Sequence, residues 1–392
     1  MFDFDRICYL RWVREMAAAE PARVPLTYSG MFPPALDWLE GIPPSELVEF
    51  DGSDHPALAR DMAAEWGLGG EQVTLVPGSH WSIMLCLMQR LDEVDGPVVV
   101  EEPAYEPLWR ICEALGLQVL RWPRLRQNEF ALDPERLEEL VAARPSAFLF
   151  SHPHNPSGAT FSPADRELLR EFQERSGALL ISDEVYLEFE DDQAAATLMH
   201  AFQDTLVIRS FTKVMGLGPV RCSAIAGSAP RIAHLARIAD YSHVMLPAPT
   251  RAVATRAWQR RAELWARARE AARLGRVEVQ EWLGRADGLV EAYLPGSGII
   301  CFPRLTAPAH AAAVKVARRR GATVEPGRLP GLEPSAALWI EDLMQRTGIQ
   351  LTPGEFFGDG QAFRLGFGIE PELLRTGLQG IETWLRQAME EA

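Results

Sequence analysis

Ser210-Phe-Thr-Lys-Val-Met-Gly-Leu-Gly-Pro-Val-Arg221 sets a lysine eight residues ahead of an arginine, and Ser182-Asp-Glu-Val-Tyr186 lies a short way upstream. An amine that forms a Schiff base gains from a strong phosphate anchor nearby, and Arg221 offers a planar two-pronged donor that is always charged. A buried carboxylate such as Asp183 can hold a pyridinium nitrogen protonated. Lys213, Asp183 and Arg221 are together the groups that the chemistry of pyridoxal 5'-phosphate (PLP) asks of a protein.

The chain of 392 residues exceeds what one core comfortably fills, so two lobes are expected. A net charge of −15, with no basic face to offset it, argues against a nucleic-acid partner and for small-molecule chemistry. Cys8, Cys86, Cys112, Cys222 and Cys301 are odd in number, scattered and without paired metal-ligand spacing, so no metal site is expected. They read as reduced packing residues of a cytoplasmic protein. The start, Met1-Phe-Asp-Phe-Asp-Arg6, lacks the basic and apolar run of a secretory signal. No apolar stretch approaches the roughly 20 residues that span a bilayer, so no membrane partner is expected.

Short apolar runs recur between helical patterns: 73–76, 98–101, 147–150, 178–181, 206–208 and 223–226. This alternation predicts an α/β fold with a mostly parallel central sheet sandwiched by helices. Ligands of such sheets gather at the carboxyl ends of the strands, and Asn155, Asp183 and Lys213 each follow such a run. A long charged helix is expected over Arg251–Leu283, linking the lobes. The expected division is a large domain at 45–285 and a smaller α+β domain from 1–44 and 286–392.

Pro153-His-Asn-Pro-Ser-Gly158, Ser182-Asp-Glu-Val-Tyr186, Ser210-Phe-Thr-Lys213 with Arg221, and Leu351-Thr-Pro-Gly-Glu-Phe-Phe-Gly358 followed by Arg364 stand in a telling order. From about Phe50 onward the chain resembles the class I/II aminotransferases of the aspartate aminotransferase superfamily, the fold type I PLP enzymes. The resemblance implies that Lys213 forms the Schiff base and shuttles a proton between substrate and cofactor. It implies that Asp183 partners the ring nitrogen, that Asn155 and Tyr186 bond the cofactor's phenolic oxygen, and that Tyr105 stacks on the ring. Arg364 would clamp the substrate α-carboxylate, with Asn155 and Gly30 nearby. Gly78 and Ser79 at a helix start, with Ser210 and Arg221, would cradle the phosphate, and His80 would approach it. Blander readings stand beside each role: a surface lysine for Lys213, a helix cap for Asp183, a turn residue for Asn155, core packing for Tyr105 and Tyr186, a surface ion pair for Arg364 and a capped tight turn for Gly78-Ser79.

The chain departs from its resemblance at Phe50, where many relatives carry a tyrosine that reaches the neighbouring subunit's phosphate; a phenyl ring cannot donate that bond. Ser157 replaces a commoner threonine, Pro25–Gly30 matches no familiar pattern, and Arg251 falls near a stretch that often reaches the partner's site. Asp51 and Asp54 would favour a cationic substrate side chain, or simply form a solvated loop. The first functional expectation is amino transfer between an amino acid and a 2-oxo acid in a homodimer. The alternatives are a PLP-dependent lyase, cyclase or oxidase of specialised metabolism and, more remotely, a non-catalytic PLP-sensing module.

Overall fold

The computed structural model describes residues 4–18, 22–50, 53, 55–93, 95–325 and 328–392. The expectation attached to Asp51 and Asp54 therefore lies outside the described residues.

Eight strands form the central sheet: β1 Val73–Val76, β2 Val98–Glu102, β3 Val119–Leu125, β4 Ala131–Leu132, β5 Ala147–Ser151, β6 Leu179–Asp183, β7 Thr205–Ser210 and β8 Ser223–Ala226. Their spatial order is β1-β8-β7-β6-β5-β2-β3-β4. The run β7-β6-β5-β2-β3 is parallel, whereas β8 runs antiparallel to both β7 and β1, and β4 antiparallel to β3. The period of two along each strand sends alternate residues to opposite faces. Leu149, Ile181 and Ile208 pack with Ile83 and Leu87 of the helix Ser79–Glu93 on one face. Phe148, Phe150 and Leu180 pack with Leu169 and Phe172 of the helix Pro163–Ser176 on the other. Every residue of β6 and β7 is buried as a result, which is why residues 179–181 and 206–208 within them read as unbroken apolar runs.

Two strands were not foreseen. In β3, Val119-Leu-Arg-Trp-Pro-Arg-Leu125, arginines alternate with apolar residues around Pro123. Such a pattern suits a place beside the sheet edge rather than a buried run. The single long helix expected over Arg251–Leu283 is corrected to two, Ala248–Gln259 and Arg261–Arg285, because the backbone at Arg260 leaves the helical region.

Beyond the sheet, Ile300–Cys301, Phe363–Gly366 and Thr352–Pro353 form a small antiparallel sheet. The helices Ala307–Arg319, Ala336–Thr347 and Pro371–Glu391 pack on one another beside it. Near the start of the chain, Val24–Pro25 pairs in parallel with Ile349–Gln350. One apolar cluster runs from Val24 and Leu26 through Phe211 and Trp258 to Leu351 and Trp384. None of the five cysteines forms a disulfide, and among the described residues no helix is long and apolar enough to cross a membrane.

Candidate active site

The carboxyl ends of β1, β2, β5, β6 and β7 open on one rim, and β8 enters the sheet from the same side. Gly78, Tyr105, Asn155 and Lys213 follow four of these ends directly, while Asp183 and Ser210 are the last residues of β6 and β7. Asp183 thus sits within its strand and caps no helix.

Burial pushes the Lys213 amine down to about 8, with Arg364 and Arg221 helping and Tyr9 and Asp183 opposing. Its Nζ stands 2.8 Å from Ser29 Oγ and 5.6 Å from the centre of the Tyr186 ring. Burial likewise raises Asp183 to about 7 against the attraction of Lys213, and its Oδ1 has no hydrogen-bond partner. An orphaned buried carboxylate oxygen is costly, so a protonated ring nitrogen brought to it would find an unmet acceptor. The Tyr186 hydroxyl and His80 Nε2 are also buried without a partner of ordinary geometry. Burial and the charges of Arg221 and Lys213 hold His80 down at about 4, so its ring is neutral at ordinary pH.

The turn into the helix Ser79–Glu93 depends on Gly78, whose φ of +91° belongs to the left-handed region. A Cβ there would fall 2.3 Å from Arg221 Nη2, so the absence of a side chain lets the guanidinium close on the helix start. Arg221 itself adopts φ 53°, and its side chain is exposed. The amides that open a helix lack intrahelical acceptors, so this corner combines free N–H groups with a cation. Ser210 Oγ is turned inward, donating to Thr212 Oγ1 at 2.9 Å and accepting from the Thr212 amide at 3.1 Å. The donor set suits a phosphate, and the unpartnered Asp183 suits a pyridinium, so the residues present fit PLP.

Arg364 is wholly buried. Its Nη1 donates to Asn155 Oδ1 at 3.1 Å, and its Nη2 donates to Tyr9 Oη at 2.9 Å and to Thr27 O at 3.1 Å, while Nε is unpartnered. Asn155 is fixed from below. Its amide donates to Ser151 Oγ at 2.8 Å, Ser151 Oγ donates to Glu101 at 2.8 Å, and Arg124 closes a fully buried ion pair with Glu101 at 2.9 Å. His154 Nε2 donates to the Pro103 carbonyl at 2.7 Å, which leaves Nδ1 to accept from Ser157 Oγ at 2.6 Å. Burial keeps that histidine neutral.

Tyr105 meets the His80 ring edge-on at 5.7 Å and the Tyr9 ring edge-on at 5.1 Å. Gly30 lies against the backbone of Lys213, where a Cβ would stand 3.4 Å from the lysine Cα, and the Met31 amide donates to the Lys213 carbonyl at 2.7 Å. The structure thus gathers the sequence-selected residues along one rim. It adds Tyr9, Ser29, Glu101, Glu106, Arg124 and His154, which the sequence reading did not assign. Phe50 and Arg251 stand apart, lining a cleft of about 400 Å³ with His243 and Leu246, and Phe50 is 77% exposed.

A family model described as aminotransferase class I and II matches residues 45–381. Capreomycidine synthase of Streptomyces vinaceus is 27% identical over 384 residues, covering 94% of this chain and 91% of that protein. Arginine–pyruvate transaminase AruH of Pseudomonas aeruginosa is 28% identical over 319 residues, covering 79% and 74%. Among solved structures, a PLP-dependent aminotransferase from Streptococcus suis superposes with a TM-score of 0.80 at 20% identity, covering 98% of each chain. The PLP-dependent cyclase OrfR superposes at 0.78 with 24% identity, again over 98% of each.

Proposed function

The chain belongs to the aminotransferase class I and II family, a family of PLP-dependent enzymes, and from that premise we propose that it moves the amino group of an amino acid to a 2-oxo acid. PLP, when bound, supplies a ring that withdraws electrons from the substrate Cα. Lys213 is the attachment point and, once freed, the base for the α-proton; an amine held at about 8 is a competent base near neutral pH. Asp183 would keep the ring nitrogen protonated, and Asn155 and Tyr186 would hold the phenolic oxygen. Tyr105 would pack on the ring, and Gly78, Ser79, His80, Arg221 and, once its hydroxyl turns from Thr212, Ser210 would hold the phosphate end. Arg364, whose Nε is buried without a partner, would bind the α-carboxylate and so fix the direction of the breaking Cα–H bond.

The observation that carries this reading is the convergence on one rim of a buried amine, an unpartnered buried carboxylate and a buried arginine. A single-turnover screen of amino acids, arginine among them, tests it. Amino transfer leaves pyridoxamine phosphate and the matching oxo acid.

A second reading is supported by the near full-length similarity to capreomycidine synthase. In it, the same proton removal leads to loss or displacement of a substrate group and ring closure. A cyclised or unsaturated product formed without an oxo acid would select that reading. In either case we place a second copy of the chain against the exposed side chains of Val48, Phe50, Tyr241 and Val244, giving a homodimer, which sedimentation can test.

A further inference from the structure

The helix Cys8–Ala18 begins against the site. Its first two amides, of Cys8 and Tyr9, donate to the two carboxylate oxygens of Glu106 at 3.0 and 2.6 Å. Glu106 is buried and follows Tyr105 directly, so one carboxylate ties the helix start to the segment that lines the cofactor side. The Tyr9 ring is fixed edge-on by Tyr105 and Phe356. Its hydroxyl accepts from Arg364 Nη2 at 2.9 Å, and a guanidinium only donates, so the tyrosine's own proton is left to spend. Among the described residues no acceptor takes it.

Resting on the reading of Arg364 as the carboxylate clamp, we propose that Tyr9 is a second donor to the substrate's α-carboxylate, held at its post by Glu106. A carboxylate seated on Arg364 offers an oxygen to the unspent phenolic proton. Tyr9 then selects for amino acids over simple amines. Glu106 touches neither substrate nor cofactor and acts as a positioning residue.

The test uses holoenzyme and 2-methylalanine, which lacks a Cα hydrogen and so binds without turnover, with tert-butylamine, which also lacks one, as its counterpart without the carboxylate. Tyr9→Phe keeps the ring and its packing. The dissociation constant for 2-methylalanine is expected to rise about tenfold or more, that for tert-butylamine to stay level, and PLP retention and melting temperature to hold. Glu106→Gln is expected to weaken 2-methylalanine binding in the presence of Tyr9 but to add little in the Tyr9→Phe background. An unchanged constant in Tyr9→Phe alongside weakened binding in Arg364→Lys overturns the role of Tyr9 alone. No binding by the unsubstituted protein, or a constant unmoved by Arg364→Lys, overturns the clamp itself and the proposal with it.

Discussion

Asp183→Asn should stabilise the cofactor-free protein, and by an amount that depends on pH. The carboxyl is buried beside the sheet end, and burial raises it from 3.8 to about 7. A group whose native value lies above its unfolded value holds its proton longer when folded, so stability falls as pH rises across that window. The rise from 3.8 to about 7, at about 1.4 kcal/mol per pH unit, makes the penalty about 4 kcal/mol once the pH passes 7. Below 3.8 it vanishes, since both states are protonated. Asparagine carries no such charge. Urea unfolding of the two cofactor-free proteins at about pH 4 and about pH 8 should therefore show nearly equal stability in acid and a more stable variant in base. PLP should narrow the gap at the higher pH, because a ring nitrogen gives the native carboxylate the partner it lacks. Equal stability at both pH values, or a variant weaker at about pH 8, would refute the argument that this carboxylate is held in a costly state.

The rate at which cofactor-free protein takes up PLP, followed by absorbance, should rise with pH and level off near 8, where the Lys213 amine becomes neutral; a lysine with the ordinary value of 10.5 would keep accelerating. Glu101→Gln leaves Arg124 charged with neither side chain exposed, and urea unfolding should register a loss of about 3–5 kcal/mol. Arg364→Lys retains charge but loses the planar fork, so steady-state kinetics should show KM for the amino acid raised at least about tenfold, with kcat less affected. Gly78→Ala places a methyl against Arg221 in a left-handed backbone, and equilibrium dialysis should show weaker PLP retention.

Much of the central sheet was legible because its strands are covered on both faces. Full burial makes residues 179–181 and 206–208 continuous apolar runs, and no surface requirement blurs the signal. Residues 119–125 escaped for the opposite reason: Arg124 satisfies Glu101 from within the strand, and a buried charge reads as a loop until its partner is known. The rim residues Asn155, Asp183 and Lys213 were found because each lies within a few residues of a strand end, a relation that spacing preserves. Tyr9 and Ser29 meet their partners across 355 and 184 positions of chain, and no local pattern records such contacts. Glu106 looked like an ordinary acidic residue in a first helical turn; only the fold brings the amides of another helix to it. The break at Arg260 was likewise hidden, since helix-favouring residues flank it on both sides.

The account depends on one nitrogen atom. Purified protein incubated with PLP, reduced with borohydride, digested and mapped by mass spectrometry reads it directly. The account predicts a single pyridoxyl group on the peptide that carries Lys213, and none in Lys213→Ala. A label on any other lysine, or no label after incubation with excess PLP, would contradict it.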